Sequence, residues 1–188
     1  MATGGLREKL ITEGIAELGE RGLENFSVRR IAGRCGVSCA APYKHFPDKK
    51  SYISAIVDYI NAIWEERQRA AASRKQTTRE KIVEVCLEYI KFLVENPQLY
   101  AIILQSPVND AKAEFGALRG RLSRPTRELI NKYCAEAGIP GEVRRRKTFV
   151  VRSLVYGAVL MLGSGELDYT PESLKMVTDA INREFDLS

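Results

Sequence analysis

Apolar residues recur along this chain at intervals of three and four, which is the spacing of amphipathic α-helices. Strict alternation of apolar and polar positions, the pattern of a half-buried strand, occurs nowhere, and the chain has no internal repeat. The first apolar face ends at Arg21-Gly22 and consists of Leu6, Leu10, Ile11, Ile15 and Leu18. The pattern therefore predicts an all-α fold.

Capping and turn residues divide the rest of the chain into further helices. Ser27 can cap a short helix that ends at Gly36, and Ser38 can cap a second one over residues 39–46. A long helix is predicted after Asp48, followed by a loop at residues 73–78. Further helices are predicted over residues 78–96, 98–105, 109–136, 142–163 and from 171 onward, and Pro125 is expected to kink or break the third of these.

Two short helices joined by a tight turn at Gly36 form a helix-turn-helix, whose second helix enters the major groove of DNA. Six basic residues stand against a single acid, Asp48, in this stretch of 22 residues: Arg29, Arg30, Arg34, Lys44, Lys49 and Lys50. Tyr43, Lys44 and His45 are consecutive, and each side chain can donate a hydrogen bond to a phosphate or a base edge. The segment is predicted to bind DNA.

The stretch GVSCAAPYKHFPDKKSYISAIV resembles the recognition helix and linker of the TetR family of bacterial transcription regulators. The matching features are the Gly36-Val37-Ser38 turn, the ending from Tyr43 to Phe46, Asp48, Lys49 and the amphipathic run from Tyr52. The motif covers roughly the first 60 residues, and the remainder matches only in length and helical character. The resemblance implies a three-helix DNA-binding head, residues 1–48, followed by a helical body for ligand binding and dimerisation, residues 49–188.

By this resemblance, Tyr43 and Lys49 hold phosphates while residues of the recognition helix read bases. The implied DNA-binding residues are Ser27, Arg29, Ser38, Ala40, Ala41, Tyr43, Lys44, His45 and Lys49. Lys44 is the expected reader of a guanine, whereas the alanines can only contact a thymine methyl. Pro42 lacks an N–H and disfavours helical geometry at Ala41, so the recognition helix is expected to begin later or more tightly than usual.

Aromatic and sulfur-containing residues of the body can line a cavity or simply fill the core. In TetR-like proteins a small molecule binds in the body and changes the spacing of the two DNA-binding heads, which implies a small-molecule effector here. The aromatic residues and the scarcity of interior charge favour an apolar or aromatic one. The predicted lining residues are Trp64, Tyr89, Phe92, Tyr100, Phe115, Tyr156 and Met161.

The run LVYGAVLML in the penultimate predicted helix is apolar almost all round, so it must be covered on more than one side. At nine residues it is too short to cross a bilayer, and no membrane partner is expected. The resemblance implies a homodimer whose four-helix bundle contains Leu154, Gly157, Ala158, Met161, Val177 and Ile181.

Composition adds little to this interpretation. A chain of 188 residues with 45% hydrophobic and 28% charged residues is an ordinary globular protein, and its net charge of +5 permits a polyanionic partner. Its four cysteines lack the spacing of a disulfide framework, and no apolar signal segment precedes them. Free thiols in the cytoplasm are therefore expected.

Other classes of function remain open to different degrees. The single histidine, His45, lies in the helix-turn-helix, and no metal pattern, cofactor motif or phosphate loop is present, which argues against an enzyme. A ligand-binding helical protein without operator recognition would share the fold, and a redox or metal sensor would act through Cys35 and Cys39. The basic cluster Arg144 to Lys147 is either a second polyanion site or a solvated helix start.

Overall fold

The computed structural model describes residues 5–105 and 113–187, apart from the side chains of residues 104, 105, 113–117 and 119. The described residues form helices and no strand, which confirms the predicted all-α class. The helices are α1 (Leu6–Arg21), α2 (Val28–Cys35), a 3₁₀ helix (Pro42–Lys44), α3 (Lys49–Ser73), α4 (Thr78–Val94), α5 (Pro97–Gln105), α6 (Ala113–Glu136), α7 (Gly141–Ser164) and α8 (Pro171–Asp186).

Packing divides the chain into two compact units. The first contains residues 1–63 and 96–120, and the second contains residues 64–95 and 121–188. Helices α3 and α6 each contribute residues to both units. The domain boundary predicted at residue 48 stays a prediction, because packing units and functional domains are different divisions of a chain.

The first unit is built on α1, which packs against α2 and α5. Its helix ends follow the predicted signals: the glycines after α1 and α2, Gly22 and Gly36, have φ angles of 71° and 72°, which L side chains rarely adopt. Gly19 permits the close approach of α5, since a Cβ atom there would lie 2.9 Å from the Cα atom of Gln98. The core of this unit includes the buried residues Leu10, Ile31, Ala32, Ile56 and Ile60.

The second unit packs α4 against α7 and α8 around an apolar core. Thr77 and Glu80 form a capping box at the start of α4, because each side chain accepts a hydrogen bond from the other residue's backbone N–H. Helix α6 runs through Pro125 as one continuous α-helix, so the break that was one of the two expectations there does not occur. The start predicted for this helix, Asn109 or Asp110, lies outside the described residues.

Candidate functional site

The segment after the Gly36 turn is tighter than the sequence predicted. A turn over residues 39–41 leads into the 3₁₀ helix, so the prediction of an α-helix over residues 39–46 is wrong in type and length. The backbone N–H groups of Ala41, Lys44 and His45 donate to carbonyls three residues earlier, at 3.0, 3.2 and 2.9 Å. Pro42 contributes to the difference: with Ser38 as the cap, its missing N–H removes the first hydrogen bond that an α-helix would form there, and it disfavours helical geometry at Ala41.

The DNA-binding residues predicted in this segment present their side chains unequally. Ser38, Ala40, Tyr43, Lys44 and His45 are all exposed within eight residues, and Tyr43 is 52% exposed. Ala41, the residue that caps the start of the 3₁₀ helix, is half-buried. The recognition segment, residues 38–45, therefore brings five of the predicted contacts together.

The remaining three predicted DNA contacts lie on the flanking helices. Arg29 on α2 and Lys49 at the start of α3 are exposed. Ser27 is half-buried, and its hydroxyl already accepts a hydrogen bond from the Arg30 backbone N–H at 3.4 Å as the cap of α2. Its backbone N–H donates to Glu17 at 3.2 Å, so both polar groups of the predicted phosphate contact are engaged within the head.

An aromatic stack anchors the C-terminal end of the recognition segment. The buried ring of Phe46 stacks on Tyr52 of α3 with centroids 4.1 Å apart, and Phe26 meets the same tyrosine edge-on at 5.4 Å. The Tyr52 hydroxyl donates to the Leu10 carbonyl of α1 at 2.5 Å, and burial raises the pKa of this phenol. The exposed hydrogen-bond donors of the recognition segment are thus attached to a buried aromatic cluster.

Asp48 caps helix α3 directly after that stack. Its carboxylate accepts a hydrogen bond of 2.7 Å from the Ser51 backbone N–H, which holds the pKa of Asp48 below its usual value. A group with a depressed folded-state pKa stabilises the fold at pH values above its unfolded pKa and loses that contribution as the pH falls through the folded value. The cap at the start of α3 is therefore weakened only in acid.

Glu17 of α1 is a fully buried carboxylate that ties α1 to α2, and the sequence analysis missed it. It accepts hydrogen bonds from the Ser27 backbone N–H at 3.2 Å and from Arg30 Nε at 2.8 Å, and Arg34 lies 3.0 Å from its second oxygen. The available signal was an acidic residue at helical spacing from the buried positions Leu10 and Gly14. Two of the basic residues counted near the helix-turn-helix are therefore engaged inside the head.

Replacing Glu17 by glutamine should destabilise the head although it preserves the side-chain shape. The neutral amide cannot balance two guanidinium groups, and the loss should be about 1.5–3 kcal/mol of unfolding free energy. Urea unfolding measures it, with Glu20→Gln as the control because Glu20 is exposed and pairs with Arg34 at the surface. The control should change stability by no more than about 0.5 kcal/mol, and equal effects of the two variants would contradict the role assigned to Glu17.

The second unit contains a small, partly open cavity of about 20 Å³ between α4, α6 and α7. Two predicted ligand-binding residues, Tyr89 and Tyr156, line it. The sequence analysis missed the other lining residues, which are Leu122, Ser123, Thr126, Arg152 and Val155. The available signal for Arg152 was a lone charge inside the apolar half of α7.

The other predicted ligand-binding residues lie elsewhere. Trp64 and Phe92 are buried behind the cavity: the Trp64 ring lies 5.1 Å from Tyr89 and 5.6 Å from Phe92. Tyr100 belongs to the first unit, and Met161 is 40% exposed on α7. The side chain of Phe115 is outside the described part of the structure.

Helices α7 and α8 expose large apolar side chains beside the predicted interface residues. Leu160, inside the apolar run predicted to be covered, is 52% exposed, and Met176, next to Val177, is 57% exposed. Of the predicted interface residues, Met161 is exposed and Leu154, Gly157 and Val177 are half-buried, whereas Ala158 and Ile181 are buried inside the single chain. By length and composition alone α7 is also apolar enough to cross a membrane, a test that core helices of soluble proteins pass as well.

The two cysteines near the helix-turn-helix differ in exposure. Cys35 is buried, but Cys39 is exposed in the turn before the 3₁₀ helix. Burial raises the pKa of Cys35 and raises that of Cys86 to about 12, so neither favours the reactive thiolate. No cluster of three metal-ligating side chains occurs among the described residues.

Two family models match the chain. Residues 10–56 match the model of bacterial regulatory proteins of the tetR family, and residues 82–184 match the tetracyclin repressor-like C-terminal domain. Among curated relatives, the nucleoid occlusion factor SlmA of Haemophilus influenzae is 30% identical over 84 residues. That match covers 45% of this chain and 38% of the relative, so it spans well under half of the relative's length.

Solved structures with similar folds cover nearly the whole chain. A TetR-like transcriptional regulator from Rhodococcus sp. RHA1 superposes with a TM-score of 0.77 at 12% identity and covers 100% of both chains. The transcriptional regulator FadR from Bacillus subtilis, solved in complex with stearoyl-CoA, has a TM-score of 0.74 at 15% identity and covers 94% of this chain and 96% of its own. Identities this low establish the common fold alone.

Proposed function

The chain belongs to the TetR family of bacterial regulatory proteins, and on this premise we propose that it is a transcriptional repressor that binds operator DNA as a homodimer and is released by a small molecule. The recognition segment carries the proposal. Its five exposed side chains lie on a short segment that is anchored in the head by Phe46 and Tyr52. Proteins of this family bind DNA and are not enzymes, in agreement with the exclusion reached from the sequence.

The proposed contacts to DNA are of two kinds: some side chains read bases and others bind phosphates. Lys44 is proposed to donate to a guanine, because it is exposed and can reach O6 and N7 in the major groove. Tyr43 and Lys49 are proposed to hold phosphates, and Lys49 is steadied by its ammonium group lying 5.7 Å from the centre of the Phe26 ring. Phosphate contacts fix orientation, and base contacts supply sequence preference.

The exposed apolar side chains of α7 and α8 support a homodimer. Single chains rarely leave several large apolar groups exposed on neighbouring helices without a partner. Two copies joined through these helices would carry two recognition segments, which must reach successive major grooves about 34 Å apart or more. A dimer interface also accounts for the apolar face of α7 without a bilayer, so we propose that the protein acts in the cytoplasm.

The cavity in the second unit is proposed as the starting point of the effector site. It is lined by two tyrosines, two small hydroxyl side chains and an arginine, so it offers both apolar and polar contacts. The FadR complex with stearoyl-CoA is an example of a similar fold holding a small molecule. Binding that favours one spacing of the heads must weaken operator binding, and by linkage operator DNA must weaken effector binding by the same factor.

Fluorescence anisotropy tests the proposal most directly. The purified protein is titrated onto its own promoter DNA and onto random DNA of equal length at near-physiological salt. Strong preference for the promoter is expected. Equal weak binding to both would call for a genome-wide selection of bound fragments, and failure to enrich any sequence there would refute operator recognition.

Replacing Lys44 by alanine should relax discrimination at one base pair, at a cost of about 1–3 kcal/mol for the preferred base. Lys49→Ala should instead weaken binding to all sequences alike and reduce the slope of log K against log salt. Anisotropy on an operator and its single-base variants separates the two outcomes. Lys132→Ala is the control, because Lys132 is an exposed residue of α6 that pairs with Glu136. A uniform loss in the Lys44 variant would show that this lysine binds phosphate.

A further inference from the structure

The basic cluster at the start of α7 divides into two groups in the structure. Lys147 is buried and Arg146 lies 3.6 Å from the Glu184 carboxylate, so both serve the packing of α8. Arg144 and Arg145 are exposed and point to the other side of α7, where they line an open groove shared with α6. The cluster is therefore not a uniformly solvated helix start.

Positive side chains predominate among the residues that line the groove. Its volume is about 600 Å³, and four arginines line it: Arg127, Arg144, Arg145 and Arg152. No carboxylate is among its lining residues, and within the described part of the chain Arg144, Arg145 and Arg152 form no ion pair. An anion would relieve the repulsion between these groups, because opposite charge nearby stabilises each guanidinium.

Arg152 joins this groove to the small cavity of the second unit. Arg152 and Tyr156 line both, and the guanidinium lies 5.6 Å from the centre of the Tyr156 ring. Its Nη2 group donates to the Tyr156 hydroxyl at 3.3 Å, but its Nε atom is buried and has no hydrogen-bond partner. A buried donor without a partner is costly, and a guanidinium is shaped to donate two parallel hydrogen bonds to a carboxylate or phosphate.

Apolar surface lies beside this charge. Phe149 contributes a 71% exposed ring to the groove, and Leu122 and Val155 line the cavity behind Arg152. A volume of 600 Å³ is within the range of sites for small molecules. The combination fits a molecule with a charged end and an apolar body.

We infer that the site formed by the groove and the cavity binds an amphipathic organic anion, which is the chemical class of the effector. Its carboxylate or phosphate lies against Arg152 and Arg145, and its apolar part covers Phe149 and Tyr156. This assignment rests on the proposed function and replaces the apolar or aromatic effector expected from the sequence, because that expectation assumed an interior with few charges.

A matched pair of dyes tests the charge preference. The probes are 8-anilinonaphthalene-1-sulfonate and N-phenyl-1-naphthylamine, which share the arylamine body and differ in the sulfonate. The full-length protein should bind the sulfonate roughly tenfold or more tightly than the neutral dye. Trp64 should report binding by energy transfer, because it is the single tryptophan and packs against the cavity-lining Tyr89.

Arg152→Gln is the decisive variant, since it removes the charge and the guanidinium donors but keeps a polar side chain. Its preference for the sulfonate should disappear, whereas Arg124→Gln should retain it. Arg124 is 66% exposed on α6, pairs with Glu128 and does not line the groove. Circular dichroism of each variant excludes unfolding as the cause. Equal binding of the two dyes by the unsubstituted protein, or an unchanged preference in Arg152→Gln, would overturn the inference.

Competition against the sulfonate dye shows which kind of anionic headgroup the site prefers. Octanoate or octyl phosphate should displace the sulfonate dye, and the stronger of the two identifies the headgroup. Displacement by inorganic phosphate alone at the same concentration would show a general anion site, and displacement by random duplex DNA would show a second nucleic-acid site; either result overturns the inference. Anisotropy on operator DNA with the same variants separates this inference from the proposed function. If operator recognition is lost, the proposed function is refuted. If operator binding is intact but the protein does not prefer the sulfonate dye, only this inference is refuted.

Discussion

Replacing Lys147 by methionine should lower the free energy of unfolding by about 3–5 kcal/mol, the cost of removing one partner from a buried charged network. Lys147 is fully buried in α7, and its ammonium group donates to the carbonyls of Glu184 at 2.5 Å and Leu187 at 2.6 Å. These carbonyls are at the end of α8, where they have no partner within the helix. Methionine would fill the space but leave both carbonyls unsatisfied and the Glu184 carboxylate less compensated.

Thermal unfolding measures this effect, and a loss of that size corresponds to about 6–20 °C in Tm. Lys175→Met is the matched control, because Lys175 is an exposed residue of α8 that pairs with Asp179. Adding Glu184→Gln to Lys147→Met should recover part of the loss, since it removes the buried carboxylate that Lys147 balances at 4.0 Å. A Tm change in Lys147→Met no larger than that of the control would show that the carbonyl contacts contribute little.

Replacing Trp64 by alanine should cost about 3–5 kcal/mol and should also enlarge the cavity of the second unit. The indole is 1% exposed, packs against Tyr89 and Phe92, and donates from Nε1 to the Leu122 carbonyl at 3.0 Å. Its removal would leave an apolar space next to the cavity, and apolar spaces of this kind can bind small aromatic molecules. Indole should therefore raise the Tm of this variant and leave the unsubstituted protein unchanged.

Trp64→Phe is the control for the ring, because it keeps an aromatic group and removes only the donor to Leu122. It should cost about 1–3 kcal/mol, the range for a buried acceptor left without its donor. Differential scanning fluorimetry with and without indole compares all three proteins. If indole stabilised the alanine and phenylalanine variants equally, the space behind Tyr89 would not be the binding site.

Most helix boundaries could be predicted from the sequence because local chemistry sets them. Ser27 and Gly36 delimit α2 in the structure as their capping and left-handed preferences indicate, and Thr170-Pro171 opens α8 in the same way. The exception is the recognition segment. There one residue, Pro42, changed the helix type, and the sequence indicated a tighter start without fixing its extent.

The residues that the sequence analysis missed share one property: they act across elements that are distant in the chain. Glu17 meets Arg30 and Arg34 on another helix, and Lys147 meets the last turn of α8 about 37 residues later. Each would be assigned to a solvated helix face by its charge alone. Only the packing of one helix on another shows that these charges are buried and compensated.

The sequence by itself determined the all-α class, the order and ends of most helices, and the helix-turn-helix with its exposed basic donors. These features depend on periodicity, caps and turns, which involve residues within a few positions of one another. The tertiary structure alone decided which charges are available to a partner. Arg30, Arg34, Arg146 and Lys147 form contacts within the chain, whereas Lys44 and Arg145 are exposed and Arg152 lines the groove. Burial and pairing across distant segments are set by three-dimensional packing, and no local pattern encodes them.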